Sequence, residues 1–209
     1  MKQVCPLGPT VNGIDIYHGD YIEDITQVVA AGVKYVFLKA WERAIDSSFR
    51  SRWAAMKKAG LIRGAYDFFH PGLDPIVQAN GFLDTFDGVL EDGDLPCALD
   101  FEVTDGAARA TILNNALKWL NYVEQRTGKT PILYMSPGFT ALDSRFSKYP
   151  LWIANYGVVC PHVPDAHQNW TFWQGSESGK VPGMRGACDT DVFNGTMSDL
   201  YAFIAKSKI

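Results

Sequence analysis

Asp100 and Glu102 stand two residues apart, separated by Phe101, where the apolar run Leu95-Pro-Cys-Ala-Leu ends. On a β-strand, side chains at i and i+2 share a face, so this spacing aims two carboxyl groups the same way from one strand end. Two acids held together away from water are costly, because burial and mutual repulsion both disfavour the second negative charge. Glycosidic cleavage uses such a pair: one acid keeps its proton while its neighbour is ionised. The plainer reading is a strand running into a solvated acidic loop, with Glu91, Asp92, Asp94 and Asp105 as its other charges.

The elements that must position these acids alternate along the chain. Short apolar strands are expected at 13–18, 34–40, 61–69, 95–102, 131–135, 150–156, 170–174 and 186–193. Between them, helices are expected at 21–31, closed by Gly32, and from Ser47 or Ser48 to Ala59, followed by Gly60. A third opens at Asp74-Pro75 and runs to about Leu90, a fourth spans 107–126 before Thr127-Gly128, and a fifth covers 199–206. Near-continuous apolar strands alternating with helices imply a parallel sheet covered by helices. The fold class is α/β, an irregular (β/α)₈-type barrel with helices short or missing between the late strands; a doubly wound open sheet is the alternative. Residues 1–12 read as an N-terminal extension and 13–209 as one catalytic barrel domain. No Gly-x-Gly-x-x-Gly follows the first strand and no Gly-Lys-Ser/Thr loop occurs, so nucleotide binding lacks its motif.

In such a barrel the site lies at the C-terminal strand ends. The first strand carries Asp15 there, the third Asp67 and His70, the fourth Asp100 and Glu102, and the eighth Asp189 and Asp191. Tyr134, Asn155, Tyr156 and Gln174 end the strands between. Acids from four strands converging with aromatics describe a cleft suited to a carbohydrate rather than to an anion.

Composition narrows the partners. Aromatics make up 13% of the 209 residues and include six Trp, which supply flat faces for sugars or bases. The net charge is −4 and no basic run exceeds Lys57-Lys58, which excludes a nucleic-acid binder held by phosphates. No apolar run approaches the ~20 residues of a membrane span. Cys5, Cys97, Cys160 and Cys188 form no Cys-x-x-Cys pair, and His18, His70, His162 and His167 form no cluster, so no metal and no cofactor are expected. Cys97, inside an apolar run, reads as a buried thiol; Cys160 and Cys188 flank a long loop region and are the favoured disulfide. Met1-Lys2 is followed by no hydrophobic signal core, which leaves a cytoplasmic protein and a mature exported form both open.

A series of segments then matters in its order. Gly13-Ile-Asp-Ile, Tyr35-Val-Phe-Leu-Lys-Ala, Ala59-Gly-Leu-Ile-Arg-Gly-Ala-Tyr and Leu95-Pro-Cys-Ala-Leu-Asp-Phe-Glu come first. Thr127-Gly-Lys-Thr-Pro-Ile-Leu-Tyr, Pro150-Leu-Trp-Ile-Ala-Asn-Tyr, Trp170-Thr-Phe-Trp-Gln and Asp189-Thr-Asp-Val-Phe-Asn-Gly follow. The series resembles the glycoside hydrolase family 25 lysozymes, the Chalaropsis-type muramidases, over nearly the whole chain. The resemblance implies hydrolysis of the β-1,4 bond between N-acetylmuramic acid and N-acetylglucosamine, with peptidoglycan glycan strands as partner, a monomer at work, and an exported location inferred from that substrate. Glu102 then matches the general acid, Asp100 its ionised neighbour, Asp15 and Asp189 the other catalytic acids, and Asp191 a structural support. Tyr66, Tyr134 and Trp152 match aromatic wall positions, and Gln174 joins the substrate-binding set. Two departures fall on the expected cleft rim: Trp41, which would add a stacking face, and Asp67, which would add negative charge favouring N-deacetylated glycan. Attack by the substrate's 2-acetamido oxygen and attack by water both stay open, and a non-catalytic wall-binding barrel is the alternative.

Overall fold

Eight strands alternate inward and outward side chains around a closed barrel in the computed structural model, which describes residues 1–206. They are β1 (Val11–Ile16), β2 (Tyr35–Glu42), β3 (Ile62–Phe68), β4 (Ala98–Asp100), β5 (Ile132–Met135), β6 (Leu151–Ala154), β7 (Phe172–Gly179) and β8 (Cys188–Phe193). Neighbours from β1–β2 through β6–β7 are parallel. The last strand corrects the expected all-parallel sheet: β8 runs antiparallel to both β7 and β1 and closes the barrel. The physical reason is the short connection at 180–187, since a parallel return needs a crossover of a dozen residues or more.

Inward residues fill the barrel with rings. Phe37 stacks on Trp152 at a centroid distance of 4.2 Å, and Tyr35 and Phe172 meet them edge-on. Gly13 and Gly64 make room for these rings: a Cβ would lie 2.2 Å from the Tyr35 ring in one case and 2.5 Å from the Phe37 ring in the other. Outward residues such as Val36, Leu38 and Leu99 pack in a second apolar layer under the helices. The helices are α1 (Ile25–Ala30), α2 (Phe49–Lys58), α3 (Pro75–Asp84), α4 (Arg109–Thr127) and α5 (Met197–Lys206). Leu200 and Ile204 of α5 join Val11 and Phe193 in the inner cluster, stopping the barrel at the end where β1 begins.

Helix ends follow their local chemistry. Asp24 caps α1 through the Thr26 N–H, Asp74 caps α3 through the N–H groups of Ile76 and Val77, and Gly128 ends α4 at φ 65°. α1 is shorter than expected because Tyr21–Ile22 forms a small strand against Met184–Arg185. α3 ends at Asp84 rather than near Leu90. Ahead of β4, Arg63 on β3 bonds Asp94 at 2.7 Å and holds the acidic turn that delivers Asp100 and Glu102.

The cysteine pairing differs from expectation. Lys2–Gln3 pairs antiparallel with His162–Val163, which lays Cys5 beside Cys160, and these two form the disulfide with a Cα–Cα distance of 4.8 Å. Cys188 cannot be the partner of Cys160, because β8 holds it in the apolar layer between barrel and helices. Cys97 is a buried free thiol, as read from its apolar surroundings. No helix among the described residues is long and apolar enough to cross a membrane.

Candidate active site

A cleft of about 230 Å³ opens at the C-terminal ends of the parallel strands. Its acids are Asp15 from β1, Asp100 and Glu102 from β4 and just beyond it, and Asp189 from β8. Tyr66, Tyr134, Trp152 and Gln174 complete the part of the wall expected from sequence. Alternation does the positioning on β4: Asp100 and Glu102 face the cleft, while Phe101 turns away into a cluster with Phe69 and Phe139. Tyr17, Lys39 and Phe68 also line the cleft and were not singled out in the sequence. Each continues an inward alternation: Tyr17 follows Asp15 by two, Lys39 follows Phe37, and Phe68 follows Tyr66.

The two acids of β4 are not equivalent. Burial raises the Asp100 carboxyl well above the usual range, and an ionised Glu102 raises it further. Glu102 is raised mainly by burial too, but it remains partly open to solvent. Both acids are thus raised, and they differ in surroundings: Asp100 is buried while Glu102 opens to solvent. Lys39 counters both, because its ammonium favours the carboxylate forms. It pairs with Glu42 and lies 4.7 Å from the centre of the Phe68 ring, which holds it against the cleft wall.

On the other side of the cleft, Asp15 accepts from Gln174 Nε2 at 2.6 Å. The amide is oriented by two phenols, Tyr134 at 2.8 Å and Tyr156 at 2.5 Å, both donating to Gln174 Oε1. Asp15 and Asp189 face each other across the β1–β8 ladder. Burial and the neighbouring acids Asp20 and Glu177 push Asp189 up to about 6. Behind this floor, Asp191 accepts from Trp152 Nε1 at 2.8 Å.

Two expected rim residues lie elsewhere. Asp67 is fully buried and accepts from Trp119 Nε1 of α4 at 2.7 Å. Strand parity is the cause: with Tyr66 facing the cleft, Asp67 must face the helix layer. Its charge therefore gives no basis for a preference for N-deacetylated glycan. Trp41 packs against Gly81 of α3, where a Cβ would approach its ring to 2.4 Å, and it belongs to the outer apolar layer. A register shift between Lys39 and Trp41 on β2 breaks the alternation that would have brought Trp41 inward.

A closed barrel with acids from three strand regions converging on an aromatic-walled cleft defines a carboxylate-dependent glycoside hydrolase. Residues 14–184 match the family model described as Glycosyl hydrolases family 25, and the chain belongs to that family. It is a glycoside hydrolase of the lysozyme type. The chain is similar to Lysozyme M1 of Streptomyces globisporus, with 31% identity over 215 residues covering 94% of this chain and 73% of that one. It is 35% identical over 208 residues to the uncharacterized protein YegX of Escherichia coli (strain K12), covering 95% of this chain and 75% of the relative. Among solved structures, the lysozyme from Streptomyces coelicolor matches with a TM-score of 0.88 and 28% identity, over 94% of this chain and 98% of that one.

Proposed function

We propose that this lysozyme-type enzyme cleaves the β-1,4 bond between N-acetylmuramic acid and N-acetylglucosamine in peptidoglycan, with Glu102 as the proton donor to the leaving oxygen. One observation carries the reading: Asp100 and Glu102 open together into the cleft, with unequal burial and a single cation, Lys39, on the wall. Burial raises both, so the pair holds on to a proton above the usual carboxylate range. In the free enzyme the proton belongs first to Asp100. A sugar seated in the cleft expels the water that still reaches Glu102, strengthens its hold on a proton, and brings the donor to the glycosidic oxygen. Asp100, left ionised, then faces the positive charge that develops at the anomeric carbon, with Asp189 across the cleft. Tyr66, Tyr134 and Trp152 form the wall against which the sugar ring packs.

The protein works outside the cytosol in this reading, as a single copy on glycan strands; the Cys5–Cys160 disulfide supports an oxidising compartment. Glu102→Gln tests the assignment, because it keeps shape and removes the proton. Release of reducing ends from purified peptidoglycan should fall by about 10³-fold while sedimentation with the wall persists. Mass spectrometry of the wild-type products should find muramic acid at the new reducing end. Unchanged turnover by Glu102→Gln, or glucosamine at the new end, overturns the reading.

A further inference from the structure

We infer that Asp191, which does not open into the cleft, is a positioning residue for Asp15: the two carboxyl groups hold one proton between them inside the barrel, and that proton fixes Asp15 at the cleft floor. The catalytic half of this inference rests on the reading of Asp15 as a cleft acid.

The geometry sets the problem. Asp15 on β1 and Asp191 on β8 both point into the barrel from paired strands, and their exposures are 6% and 2%. Each has one neutral N–H donor, Gln174 for Asp15 and Trp152 for Asp191. Both donors are fixed: Gln174 by the hydroxyls of Tyr134 and Tyr156, Trp152 by stacking on Phe37. The second Asp191 oxygen, Oδ2, is buried and has no N–H or O–H donor among the described residues apart from a proton carried by Asp15. The ionisable groups nearest the pair are Asp189 on β8, Tyr35 on β2, Tyr66 on β3, Tyr134 on β5, Tyr156 after β6 and Cys188 at the start of β8. None of these is a cation, and Lys39, the cation that lines the same cleft, pairs with Glu42 instead, so two buried negative charges here would be poorly balanced.

One proton resolves the conflict. An O–H on one carboxyl, donated to the other, satisfies the remaining oxygen and halves the charge. The shifts agree in direction: burial, then Asp191, raises Asp15 well above the usual range, and burial pushes Asp191 up to about 8. Asp15 is thus gripped from two sides, by the Gln174 amide and by the shared proton, and cannot swing away from Asp189.

Two variants separate this role from simple packing. Asparagine at 191 can still accept from Trp152 and can donate an N–H to Asp15, removing one of the two raised acids while Asp15 stays buried; leucine can do neither. The first readout is melting temperature against pH for the wild type and Asp191→Asn. A folded-state acid raised above its unfolded value near 3.9 makes the folded protein hold a proton that the unfolded chain releases. Wild-type stability should therefore fall relative to Asp191→Asn from pH 4 to about 8, then run parallel to it. A melting difference independent of pH overturns the shared proton. The second readout is turnover: Asp191→Leu should lose about tenfold or more in kcat with KM little changed, while Asp191→Asn stays within about threefold. Equal kcat for the two variants overturns the positioning role. Asp15→Asn at full wild-type rate would instead sink the reading of Asp15, leaving the shared proton to be judged on the melting curves.

Discussion

The pair Asp100–Glu102 and the pair Asp15–Asp191 are built from the same groups and meet different surroundings. The first sits where β4 gives out, with Glu102 half in water and Lys39 across from it. The second sits inside the barrel, with amide, indole and phenol groups as its neighbours. Both are raised by burial. The first changes its proton more readily as a ligand comes and goes, because Glu102 is open to solvent, whereas Asp15 and Asp191 are both buried. A deep acid pair orients; a pair at the rim, one side wet, can transfer.

The largest effect expected after Glu102→Gln comes from cutting the support of the deep pair. Gln174→Leu removes the Asp15 donor and the common acceptor of two phenols, and should lower kcat by about 10–10²-fold in the reducing-end assay. A loss confined to KM would break the contrast between orienting and transferring pairs. Reducing the Cys5–Cys160 bridge frees a loop spanning 155 residues and should lower the unfolding free energy in urea by about 3–5 kcal/mol. Because Tyr156 lies only four residues before Cys160, the reduced protein should also lose part of the Gln174 clamp, seen as a smaller kcat at equal folded fraction.

Lys39→Met acts on the rim pair and not on Asp15 and Asp191, though it also frees Glu42. The ammonium lowers both Asp100 and Glu102, so its removal raises both. Activity needs one proton on the pair, so both limbs of the rate–pH profile should move to higher pH. An unmoved profile would place Lys39 outside the proton balance. The smallest catalytic effect belongs to Asp67→Asn, which should leave turnover and the choice between acetylated and deacetylated walls unchanged. Burial raises Asp67 well above 3.8, so wild-type stability falls relative to this variant as pH climbs from about 4. At pH 7 the variant should be more stable by about 1–3 kcal/mol in urea titrations.

Much of the cleft was legible as a parity rule. Asp100 and Glu102, Asp15 and Tyr17, Tyr66 and Phe68 each lie two apart on one strand face, and applying the rule throughout would have found Lys39 behind Phe37. The same rule, read strictly, places Asp67 behind the sheet, since it follows Tyr66 by one. Trp41 was beyond it, because a register shift is a property of two strands and leaves no mark on one. The antiparallel direction of β8 and the Cys5–Cys160 pairing were beyond it for the same reason. Both depend on contacts between segments far apart in the chain, one of them a strand of only two residues.

The antiparallel closing strand has a consequence for when lytic power arises during synthesis. Glu102 is made four strands before the last, yet the ladder that sets Asp189 against Asp15 joins the eighth strand to the first. A ribosome-bound fragment ending before Cys188 holds Glu102 but has neither Asp189 nor Asp191, and its barrel seam is open. Folding of a sheet whose last pairing spans the chain waits on that final segment. The cleft is thus completed only once β8 has been made and paired with β1, in one late step.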